Sequence, residues 1–131
     1  MSKIINEATM EEKFSNMLSL AKSYFNTNVS KGFEYHQCLI LRTTLGEEKI
    51  YSFACNSVKD LITQSCATLL QGKIPTVQNI VCMWEGQNID VPSYQLMKTL
   101  CELNPENKNA EILLSAGRDA YVTKKVVDII G

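Results

Sequence analysis

The chain has 131 residues, of which 45% are hydrophobic and 21% charged, with 13 basic residues against 14 acidic ones. This is the profile of one globular domain with one core, spanning 1–131. Arginine stands only at 42 and 118, and there is no block of like charge, so there is no electrostatic footprint for nucleic acid. No apolar run approaches bilayer length, and MSKIINEATMEEKF lacks both the apolar core of a secretion signal and the acid-poor composition of a transit peptide. A cytoplasmic protein is expected.

Thr9 and Glu12 stand at capping-box spacing. Met10, Phe14, Met17, Leu18, Ala21 and Phe25 recur at helical intervals, which predicts a first helix over about 10–26 with one apolar stripe. NTNVSKG breaks it, and its Asn28-Val29-Ser30 sequon is a chance match in a cytosolic chain. EYHQCLILRTT predicts a strand, LGEE a turn and KIYSFAC a second strand, together an antiparallel hairpin. Ser57 and Asp60 suggest another cap. Val58, Leu61, Ile62, Ala67, Leu69 and Leu70 would give the helix that follows a broad apolar face, ended by Gly72 and Pro75.

VQNIVCMW is apolar enough for a third strand buried on both faces, and EGQNIDV follows it as a loop. A helix starts at Pro92 or Ser93 with Leu96, Met97, Leu100 and Leu103 inward. NPENKN is a polar connector, EILLSA a fourth strand, AGRD a turn, AYVT a short fifth strand and KKVVDII a terminal helix. The order α-β-β-α-β-α-β-β-α predicts a three-layer α/β/α sandwich with a mixed five-stranded sheet. Its third and fourth strands should run parallel through a right-handed crossover.

Five cysteines, at 38, 55, 66, 82 and 101, are odd in number and widely spaced, as expected for reduced core thiols. His36 and Cys38 share a strand face. Side chains two apart there sit about 6–7 Å from one another, too far for a nucleophilic pair, and an ordinary strand-end histidine is the plainer reading.

Three segments carry a resemblance. AEILLSAGRDAYVTKKVVDIIG has a strand, a glycine turn, a Tyr-bearing short strand and a helix. VQNIVCMWEGQNIDVPSYQL has a strand and loop leading into a Pro-initiated helix. SKGFEYHQCLIL places Phe33 just before the first strand. With the element order, they resemble the cytidine deaminase superfamily, most of all the small free-nucleoside and blasticidin-type enzymes, over nearly the whole chain.

In that family one helix N-terminus carries His- or Cys-Ala-Glu and the next carries Pro-Cys-x-x-Cys. Cysteines three apart share a helix face and bind one zinc, which acidifies a water while the Glu shuttles its proton. Here the second motif reads Pro92-Ser93-Tyr94-Gln95-Leu96, with Ser93 capping the helix and Leu96 at the second cysteine position. The first motif falls on Lys59-Asp60-Leu61, Leu61-Ile62-Thr63 or Cys66-Ala67-Thr68, none with Glu in third place.

The resemblance therefore implies a deaminase-fold protein with no catalytic residues, no metal and no cofactor, serving in binding, regulation or assembly. It implies a homo-oligomer, dimer or tetramer. It also implies a small nucleoside-like ligand near Phe33, Asn56, Ser93 and Tyr94, with Cys66 as the candidate surviving cysteine.

Plainer roles stand beside these. Asn56 either holds ribose hydroxyls or forms the turn before the helix; the acidic partner expected two residues later is Val58. Cys66 fits a packed helix thiol. Trp84 could stack on a base, but fits better as a core or interface aromatic. Two other functions stay open: an active non-zinc enzyme using Cys66, Asp60 or His36, and an α/β protein-interaction module unrelated to deaminases.

Overall fold

Two strands with hardly a solvent-facing position run through the middle of the molecule. A computed structural model describes residues 4–27 and 32–131. In it β1 (Tyr35–Thr43) and β3 (Val77–Trp84) are buried along nearly their whole length. Their apolar runs suit that place, because a strand covered on both faces needs no polar alternation. They pair with each other antiparallel. β2 (Glu48–Cys55) closes a hairpin on β1 and forms one edge. β5 (Glu111–Gly117) pairs parallel with β3, and β6 (Ala120–Lys125) pairs antiparallel with β5. The order is β2-β1-β3-β5-β6.

Helices lie on both faces. α1 (Glu12–Thr27) buries Phe14, Met17, Leu18 and Ala21 against Cys38, Ile40, Val81, Met83 and Leu113. α2 (Val58–Gln71), α3 (Tyr94–Leu103) and α4 (Val126–Ile130) cover the opposite face, where Leu61, Leu69, Leu96, Leu100 and Val126 join Leu39, Leu41, Ile80 and Cys82. This is the expected α/β/α sandwich with a mixed sheet.

The sheet has six strands instead of five. β4 (Asn88–Ile89), inside the segment expected to be a loop, pairs with Met83 and Trp84. Gly86 and Gln87 turn the chain back with positive φ of 73° and 59°, which lets the backbone add to the free edge of β3. The polar connector is a short 3-10 helix, Pro105–Asn109. Its Asn107 is buried because its carboxamide accepts from Val77 N at 2.8 Å and donates to Leu100 O at 2.8 Å.

Element ends differ where side chains found nearer partners. Thr9 does not cap α1. It exchanges hydrogen bonds with Asn6, Thr9 N to Asn6 Oδ1 at 2.9 Å and Asn6 N to Thr9 Oγ1 at 3.1 Å, and the helix begins at Glu12. Lys124 and Lys125 belong to β6, so α4 is one short turn. On α2 only Leu61, Ser65 and Leu69 are buried, while Val58, Ala67 and Leu70 face solvent, because a single sheet face reaches one narrow stripe of the helix. Leu103 is exposed at the end of α3. Of the cysteines, Cys38 and Cys82 are core residues and Cys55, Cys66 and Cys101 are half-buried; all five are free thiols. The 28–30 sequon lies outside the described residues. No described helix is long and apolar enough to cross a membrane.

Candidate functional site

The N-termini of α2 and α3 lie on one face of the sheet, and the two helices pack on each other. Each is capped by serine. Ser57, with extended backbone, accepts from Asp60 N at 3.1 Å. Ser93, after the buried Pro92, accepts from Leu96 N at 3.1 Å. Each cap satisfies one of the orphan amides of its first turn.

Behind the caps the chemistry is apolar. Leu61 is 1% exposed and Leu96 is 0% exposed, and both belong to the core cluster that includes Phe53 and Cys82. A zinc ion here would need thiolate or imidazole donors. Leu96 has none, the Ser93 hydroxyl is committed to its cap, and Cys66 stands in the third turn of α2 rather than at its start. Among the described residues no three His, Cys, Asp or Glu side chains are placed to hold a metal ion. The residues at this place do not fit zinc.

Burial holds three of the thiols protonated. Burial pushes Cys38 up to about 12 and Cys82 well above its ordinary value. Burial also raises Cys55, followed by the charge of Asp60, and the Cys55 Sγ donates to Gln64 Oε1 at 3.1 Å. The thiolate is the nucleophile, so these groups are not poised for attack. His36 sits two positions from Cys38 on β1, as expected from the sequence, beside a thiol that stays protonated. Buried Gln37 donates from Nε2 to Cys82 Sγ at 3.3 Å, and its Oε1 has no partner among the described residues.

The residues singled out for a ligand are only partly brought together. Asn56 Oδ1 accepts from Glu34 N at 3.3 Å, tying the turn that carries Phe33 to the start of α2. Phe33 is exposed. Tyr94, directly after the Ser93 cap, faces elsewhere: Lys98 Nζ lies 5.6 Å from its ring centroid, and both line a cleft of about 400 Å³ with Cys101, Glu102 and Ile130. Phe33, Asn56, Cys66 and Ser93 do not line that cleft.

A second cleft, of about 580 Å³, opens at the end of the sheet between β3, β4 and β5, lined by Trp84, Asn88, Ile89, Asp90, Val91 and Ser115. Sequence reasoning missed it by treating 85–91 as a plain loop. The alternation of Asn88, Ile89, Asp90 and Val91 was the available signal, since period two marks a strand.

No protein-family model matches the chain, and no curated protein matches it. Among solved structures it superposes on the cytidine deaminase from Mycobacterium leprae with a TM-score of 0.59 and 11% identity, over 92% of this chain and 98% of that one. The chain has a cytidine deaminase-like fold, and at that identity the likeness concerns the fold alone.

Proposed function

We propose that this protein is a deaminase-fold protein that does not deaminate, acting in binding, regulation or assembly. The observation that carries the reading is the pair of leucines behind the two capped helix starts. Leu61 and Leu96 lie buried in one core where zinc chemistry would require ionisable side chains. An apolar core there can neither acidify water nor move a proton.

The protein assembles as a homo-oligomer in this reading, and a nucleoside-like ligand, if retained, lies at the Phe33 turn, where Asn56 and the cap region of α2 meet. Support for that place is the bond from Glu34 N to Asn56 Oδ1, which fixes the turn beside the helix start. Tyr94 belongs to another cleft and contributes less.

The deciding experiment is elemental analysis of the purified, untagged protein together with a cytidine-to-uridine assay. Far less than one zinc per chain and no turnover are expected. About one zinc per chain with turnover overturns the reading. Calorimetry with cytidine on the parent and on Phe33→Ala tests the ligand. Equal affinity in the two removes Phe33 from the site.

A further inference from the structure

β3 and β5 pair at only two positions, Asn79 with Glu111 and Ile80 with Ile112, and then part. Parting parallel strands leave a crevice outside their carboxyl ends, a common place for ligands in open α/β sheets. Here β4 folds into the gap. Its backbone is anchored at Met83 and Trp84, and Asp90 N donates to Cys82 O at 3.1 Å. The result is the 580 Å³ cleft, a volume in the usual range for small-molecule sites.

The wall chemistry is one-sided. Among the described residues, no lysine, arginine or histidine lines the cleft. Trp84 is half-buried, and its indole Nε1 is spent on Val91 O at 3.1 Å, which fixes the ring and leaves its π-surface as what it can offer. Asp90 is exposed and uses Oδ1 to accept from Val91 N at 2.7 Å. Asn88 donates one of its two Nδ2 hydrogens to Glu85 O at 2.8 Å, which orients the amide and leaves its carbonyl oxygen as an acceptor. Ser115 is exposed on the facing strand.

One carboxylate, one carbonyl acceptor and one held aromatic ring, with no cation among them, suit a positively charged ligand and repel an anion. We infer that this cleft binds a small organic cation through a substituted ammonium group, set against Trp84 and countered by Asp90. The site is separate from the leucine-filled helix starts and does not depend on the function proposed above.

Trp84 is the only tryptophan, so its fluorescence reports on the cleft directly. The full-length chain would be titrated at low ionic strength with choline, with its neutral carbon isostere 3,3-dimethylbutan-1-ol, with glucose and with adenosine monophosphate. Choline should give a saturable change at roughly millimolar affinity. The isostere should bind about tenfold more weakly, and glucose and the nucleotide should give no saturable change. Asp90→Asn keeps the Oδ1 acceptor for Val91 and removes only the charge, so it should fold and lose about tenfold in choline affinity. Should it fail to fold, raising the salt to ~0.5 M on the parent chain must weaken choline instead. Absence of saturable choline binding overturns the inference. So does equal binding of the isostere, tighter binding of glucose or the nucleotide, or affinity unmoved by both the charge change and salt.

Discussion

The starts of α2 and α3 and the carboxyl ends of β3 and β5 lie at the same end of the sheet, yet they are built in opposite ways. At the helix starts both serine hydroxyls are turned back onto their own backbones, and leucines fill the space behind them. At the strand ends the backbone is closed by β4, while carboxylate, carbonyl and hydroxyl groups stay open to a cleft. The first region spends its side chains on stability and the second leaves them available. The place where polar groups remain free is a better guide to binding than a shared fold.

The contrast is broken or sharpened most strongly by Leu96→Ala and Leu61→Ala. Each should cost about 2–5 kcal/mol in chemical denaturation, as for other buried leucines. A double-mutant cycle should show coupling of at least ~0.5 kcal/mol if the two share one packed core. Additive losses would mean that the helix starts are not packed as a unit.

Next comes alkaline pH. The Cys38 thiol is raised from 9.0 to about 12 in the folded protein, so the unfolded chain releases its proton first. Stability should be level below pH 9 and fall as pH rises from 9 toward 12. Burial of Tyr24 and Tyr51 acts in the same direction. Cys38→Ala should flatten part of that fall, and an unchanged profile would show that the thiol does not contribute.

A smaller effect, of the opposite sign, belongs to Asn79. It is 0% exposed at the centre of the sheet, and neither Nδ2 nor Oδ1 has a partner among the described residues. An unpaired buried amide costs about 1–3 kcal/mol. Asn79→Leu should therefore hold or raise the melting temperature, and a clear loss would point to an ordered partner for the amide. Smallest is Ser93→Ala, expected to cost about 1 kcal/mol through loss of the cap. A much larger loss would give Ser93 a role beyond capping Leu96 N.

Most of the architecture was legible in the chain itself. The uninterrupted apolar runs of 38–41 and 80–84 marked the two inner strands, because burial on both faces leaves no room for alternation. The serines at 57 and 93 marked two helix starts, since a cap acts only on its own first turn. What the sequence could not settle depended on neighbours distant along the chain. Thr9 looked like a cap until Asn6 competed for it. Leu70 and Leu103 looked inward until the sheet proved to reach only one stripe of each helix. Asn88–Ile89 became a strand because β3 had a vacant edge beyond its short pairing with β5, and edge pairing is a property of the partner as much as of the segment. The cleft beside Trp84 follows from that same parting of strands. Local spacing therefore determined which elements form and how they are capped. Only the tertiary structure decided which surfaces they cover and where the gap between them lies.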